Sequence, residues 1–257
     1  MVSIPLTDQS ILNVKHALRQ RFPGEKSSHL TEALAAACGY RNHASLLAQV
    51  RQSNPGDPEF VLLNDGELLR RLHELGGNSP PRDTRASVFE HLAYSDPTSV
   101  IRTESKRGRK FKYGSARMRA WRNLMVAGIN AGIDQRLFTV SPGDNRWPKT
   151  ERMPVGVFRF LVGDIPAVAS VSDAGWDELS IHVAFWPTED GARHVVAMNA
   201  GFYAGEVFAS GWLERRDGAW LQSTAGPDFC CRKKRLHLVA SLEVTPKGYA
   251  DRGDFKL

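Results

Sequence analysis

Apolar residues recur at helical spacing as far as Ile129, and with a period of two from Val155 onward. No single regular element satisfies both periods, so a chain of this kind builds helices first and strands afterwards. In the second part, residues 155–162 and 167–172 are strand candidates joined by Gly163-Asp164-Ile165-Pro166. Leu179, Ile181, Val183 and Phe185 alternate with Ser180, His182, Ala184 and Trp186, as a half-buried strand requires. A turn over 187–193 precedes a further candidate at 194–199. Residues 207–213 and 219–222 form a hairpin through Arg216-Asp217-Gly218. In the last run, Leu236, Leu238, Ala240, Leu242 and Val244 alternate with His237, Ser241 and Glu243. Short turns between such strands predict an antiparallel sheet of six or seven strands, so the fold class is α+β.

The first 77 residues read as a helical module. Thr7 or Asp8 caps a helix that carries Ile11, Val14 and Leu18 on one face, stopped by Phe22-Pro23-Gly24. Ser27 or Ser28 caps a second helix, over 30–38, that Gly39 ends. Asn42 caps a third, with Ala44, Leu47 and Val50 inward. A short strand at 59–63 leads into a helix capped by Asn64 or Asp65, with Leu68, Leu69 and Leu72 inward. Two consecutive prolines, Pro80 and Pro81, mark 78–84 as a linker, and 85–257 as the second domain. That domain opens with a short helix over 85–94 bearing Val88 and Leu92. Ser115 caps a later helix whose stripe is Met118, Trp121, Met125 and Ile129.

The strongest functional signal lies between Arg102 and Arg122. Nine basic residues stand there against one acidic residue, Glu104, more than the whole chain's net charge of +6. The positive charge behind the pI of about 9.4 is therefore local, and it is interleaved with Phe111, Tyr113 and Trp121. Cations among flat rings suit a phosphate backbone and stacked bases. The candidate nucleic-acid contacts are Lys106, Arg107, Arg109, Lys110, Phe111, Lys112, Tyr113, Arg117, Arg119 and Arg122, with DNA foremost. An acidic protein is the second partner class such a surface fits. The run Arg232-Lys233-Lys234-Arg235 extends the same surface if it folds beside this stretch.

Residues 28–50 carry a recurring local pattern: Ser28, His29, Ala33, Leu34 and Ala37, then Gly39, Tyr40, Asn42 and Leu46. In this they resemble the small helical module at the start of some bacterial proteins that are plasmid-encoded or assigned to the glyoxalase superfamily. His43 stands where that pattern has an aromatic residue. The resemblance implies an accessory role in a mobile element and brings no catalytic residue with it. The same segment matches a DNA-binding helix-turn-helix only in part, because Ser45 occupies a position that should be branched and apolar.

Other chemistries leave little trace. P-loop, nucleophile-elbow and H-E-x-x-H patterns are absent, and no motif implies a cofactor. His182, His194, His237 and Glu243 would make an acid–base or metal site only if the fold brought them together. Cys230-Cys231 reads as part of a polar turn. Three cysteines supply no disulfide framework, no apolar run approaches a membrane span, and the N-terminus has no signal-peptide pattern. These features point to the cytoplasm.

Overall fold

A computed structural model describes residues 2–54, 58–77, 88–89, 101–102, 113–141, 155–215, 219–223 and 228–251. The chain divides into two compact units, Met1–Thr103 and Glu104–Leu257. The fold is α+β, a helical N-terminal region followed by an antiparallel sheet domain. Among the described residues no helix is long and apolar enough to cross a membrane.

The first unit begins with strand β1 (Val2–Pro5), which sequence patterning does not reveal. Helix α1 (Asp8–Arg21) follows, then α2 (Ser27–Ala37), α3 (His43–Gln52), strand β2 (Phe60–Leu63) and helix α4 (Asp65–Glu74). Strand β3 (Ile101–Arg102) completes a three-stranded sheet in the order β2-β1-β3, with Val2 opposite both Leu63 and Arg102. The caps follow local chemistry. Thr7 accepts from the Ser10 amide, and Asn64 from that of Glu67. Helix α2 differs from expectation: it starts at Ser27, with Lys26 at the cap position and no side-chain cap. Its end is as expected, since the Gly39 and Tyr40 amides donate back to Ala36 and Ala35 at 2.9 Å.

At α3 the Asn42 oxygen accepts from the Ser45 amide at 2.9 Å, and Ser45 Oγ accepts from the Asn42 amide at 3.3 Å. Ser45 therefore closes a capping box, and the inward residues are Leu46 and Val50 rather than Ala44 and Leu47. Replacing Asn42 with alanine should cost about 1 kcal/mol, because it orphans amides at the helix start. Urea denaturation of the Asn42→Ala chain measures this directly. The core of the unit gathers Ile4, Leu18, Leu30, Leu34, Leu46, Leu68 and Leu72. Val88 and Phe89, expected in the second domain, are buried in that core, and the Phe89 amide donates to Asp65 at 3.2 Å. The expected linker at 78–84 lies outside the described residues.

In the second unit, helix α5 (Ala116–Asp134) precedes strands β4 (Val155–Val162), β5 (Ile165–Gly175) and β6 (Glu178–Pro187). A one-turn helix α6 (Gly191–His194) and a 3-10 turn (Gly201–Tyr203) lead to β7 (Gly205–Glu214), β8 (Trp220–Gln222) and β9 (Asp228–Cys231). A second 3-10 turn (Lys233–Arg235) then runs into the short helix α7 (Leu236–Ala240). The six strands are antiparallel in the order β4-β5-β6-β7-β8, with β9 also on β7. Strands β8 and β9 share one edge of β7, pairing with residues 212–214 and 207–210 respectively.

Two expected strands are absent. Residues 194–199 are chained turns, such as Val195 to Gly191 and Ala197 to His194, which let Val195 and Ala200 sit on the sheet. Residues 236–244 form α7 and an irregular tail, with Val239 buried and Leu238 46% exposed, the reverse of the alternation reading. Conversely, the Cys230-Cys231 segment is a strand and not a turn.

Helix α5 lies on the sheet face that bears Val183. A Cβ on Gly128 would fall 2.4 Å from Val183 Cγ2, so only glycine permits this approach. Its outer side is covered by residues 239–251. Asn123, almost fully buried, donates to the carbonyls of Val239 and Leu242, both at 2.9 Å. Buried Tyr249 donates to Val126 O, and Asn130 to Thr245 O at 2.8 Å. The strap ends in a parallel bridge between Ala250 and Trp220. Enclosure on both sides explains why α5 is buried almost all round from Ala120 to Gly132 instead of along a stripe.

Candidate nucleic-acid interface

The structure separates the ten candidate contacts. Lys106, Arg107, Arg109, Lys110, Phe111 and Lys112 lie outside the described residues. Tyr113 donates its hydroxyl to Asp251 O and packs on Trp121, with ring centroids 6.5 Å apart. Arg122 grips the same segment: it reaches Asp251 Oδ2 through Nε at 2.8 Å and Nη2 at 2.6 Å, and Val244 O at 2.6 Å. These two residues hold the C-terminal strap in place. Arg119 is exposed and donates to Gly114 O at 3.1 Å.

Arg117 is the member that leads elsewhere. It projects from the first turn of α5 toward β9, donates to Phe229 O at 2.9 Å, and lies 5.1 Å over the Phe229 ring. Strand β9 runs directly into Arg232-Lys233-Lys234-Arg235. Arg117 thus stands on the edge strand that leads into the second basic segment. Along it, Arg232 covers the Phe202 ring at 4.5 Å and Arg235 the Trp186 ring at 3.9 Å. Such pairs hold flexible cations over rings at a fixed place. Trp186 adopts φ 46°, a costly value for a bulky side chain, and its ring lies beneath Arg235.

Glu206 balances part of this charge. Lys234 reaches it at 2.9 Å, Arg235 also bonds it, and these contacts hold its carboxyl below the ordinary range. Arg117, Arg232, Lys233 and Lys234 remain exposed to solvent. Phe202 and Tyr203 are 42% and 73% exposed, so the surface mixes cations and aromatic residues, as the 102–122 stretch does in sequence. Pattern reading missed Phe202, Tyr203 and Phe229 because all three lie far along the chain from the main basic run.

The thiols beside it are not activated. Burial pushes Cys230 and Cys231 above the ordinary thiol value, although Arg117 pulls both down.

The histidines do not converge. His182 is buried on β6, on the sheet face covered by residues 188–204, and His194 pairs with the Tyr203 ring at 5.6 Å. His237 belongs to α7, which packs on α5 at the opposite face. Among the described residues no group of three or more His, Cys, Asp or Glu is placed to hold a metal ion. Around His182 the bonds are structural and directional. Ser210 Oγ donates to Met198 O at 3.1 Å, so it accepts from His182 Nδ1–H at 2.9 Å. The Nε2 lone pair then faces Ser180 Oγ at 3.4 Å. Beside it, Ser170 donates to Val195 O at 2.8 Å, so the row of Ser170, His182 and Ser210 fastens the 188–204 segment to the sheet.

No family model, curated protein or solved structure matches the chain.

Proposed function

We propose that the protein binds nucleic acid through the surface formed by the start of α5, strand β9 and the Arg232–Arg235 run. The observation that carries this reading is the bond from Arg117 to the Phe229 carbonyl, which seats a cation of the first basic segment on the strand that leads into the second, more than a hundred residues later. Arg117, Arg232, Lys233 and Lys234 neutralise phosphates, while Arg235 is held by Glu206 and the Trp186 ring. Lys106, Arg107, Arg109, Lys110 and Lys112 are further phosphate contacts that the sequence offers. Among these polymers DNA comes first, in the cytoplasm. An accessory role in a bacterial mobile element rests on the resemblance of residues 28–50.

Four phosphate contacts predict a slope of log affinity on log salt of about −3 to −4. The Arg232→Glu/Lys233→Glu/Lys234→Glu variant should bind on the order of 100-fold more weakly and lose most of that slope. Fluorescence anisotropy with labelled 20-nucleotide probes across a salt series reads both. Binding that is unchanged in the variant rejects the assignment of this surface. Absence of binding at low salt rejects the function and leaves an acidic protein as the partner to seek.

A further inference from the structure

We infer that the nucleic acid taken by this surface is single-stranded, and that one of its bases stacks on Tyr203. This rests on the reading above and specifies its ligand. A solitary exposed ring needs no explanation. Tyr203 differs in two respects: its backbone is fixed, and the ring of the residue before it carries the Arg232 guanidinium.

The fixing is local and complete. Tyr203 closes the 3-10 turn Gly201–Tyr203 by donating its amide to Ala200 O at 3.1 Å. Its own carbonyl accepts from Thr188 Oγ1 at 2.5 Å, and the next carbonyl, of Ala204, accepts from the Thr188 amide at 3.1 Å. Ala200 and Ala204 are buried with Val168, Ala184 and Phe208 on the sheet. The approach is so close that a Cβ on Gly191 would lie 2.5 Å from Ala204 O. The backbone that carries the ring is thus fixed before any ligand arrives, which removes part of the entropy cost of binding.

The cations complete the site. Phe202, the preceding residue, lies under the Arg232 guanidinium, which places the basic run beside the turn. His194 lines one side of Tyr203 at a ring tilt of 39°, and the rest of the ring faces solvent. In a duplex the base faces are stacked on one another and an outlying ring gains nothing, whereas every base of a single strand offers a face. Backbone neutralisation beside a rigid aromatic platform is the chemistry that single-stranded DNA and RNA share.

The test compares labelled 20-mers of oligothymidylate and oligouridylate with a 20-base-pair mixed-sequence duplex, by anisotropy with the full chain at fixed salt. The native protein should bind a single strand at least tenfold more tightly than the duplex, and the tighter of the two single strands names the source. Tyr203→Ala should weaken single-strand binding about tenfold or more, leaving the salt slope and the circular dichroism unchanged. Tyr203→Phe should restore it, since stacking needs the ring and not the hydroxyl. Equal affinity for duplex and single strand, or a Tyr203→Ala chain that binds like the native one, overturns the inference while leaving nucleic-acid binding standing. A native protein that binds none of the three probes removes both.

Discussion

Replacing Trp121 with alanine should cost the second unit about 4 kcal/mol, the scale of a fully buried aromatic truncated in a core. Trp121 is wholly buried in the second turn of α5, where a Cβ on Gly211 of β7 would lie 3.2 Å from its Cζ2. The same side chain donates Nε1–H to Ser210 O at 2.9 Å. Truncation therefore opens a cavity and strands a buried carbonyl together, two penalties that add to each other. A domain of this size is stable by only about 5–15 kcal/mol, so the loss is a large share of the total. Trp121→Phe keeps most of the volume but removes the donor, and should cost about 1–2 kcal/mol. Urea unfolding followed by far-UV circular dichroism separates the two variants. A Trp121→Ala change below 1 kcal/mol would mean that α5 is not what the sheet folds around.

Local chemistry is what pattern reading captured. The starts of α1, α3, α4 and α5 were legible because Thr7, Asn42, Asn64 and Ser115 each cap the amide of a residue three positions on. Strands β5, β6 and β7 were legible as apolar runs between turns, because α5 covers one sheet face and residues 188–204 cover part of the other. The failures have a common cause. Strand β1 has four residues, too few to display a period, and its partners come from residues 60–63 and 101–102. The tail after Leu236 mimics alternation, but its carbonyls are satisfied by Asn123 and Asn130 of α5, more than a hundred residues earlier. Propensity has no access to such partners.

The basic stretch shows the same limit. Arg122 and Arg117 look alike in sequence, both cations near aromatic residues. Asp251, which engages Arg122, lies 129 positions away, and among the described residues Arg117 rests on a backbone carbonyl and a ring. One became a clasp and the other part of an exposed surface, and distant residues decided which.

His182 sets the second large expectation, a loss of stability in mild acid. Burial lowers its pKa to about 4, against 6.5 for the free side chain. The folded state therefore refuses a proton that the unfolded chain accepts. Above about pH 6.5 neither state is protonated, and this group adds no pH dependence. Between pH 6.5 and 4 the unfolded chain gains the proton first, so stability falls as the pH drops, by at most about 1.4 kcal/mol per pH unit. The whole interval amounts to roughly 3 kcal/mol, and below pH 4 the contribution is level again. The bonds around the ring fit this sign, since Nδ1–H donating to Ser210 Oγ and an Nε2 lone pair facing Ser180 Oγ belong to the neutral form. Because Ser210 also holds Met198 O, acid should loosen the 188–204 segment that the row of Ser170, His182 and Ser210 fastens. Urea unfolding at half-unit steps from pH 4 to 7.5 measures the trend, and the difference from His182→Gln isolates this group from the chain's other titrating residues. Parallel curves for the two proteins would show that His182 carries a proton in the folded state after all.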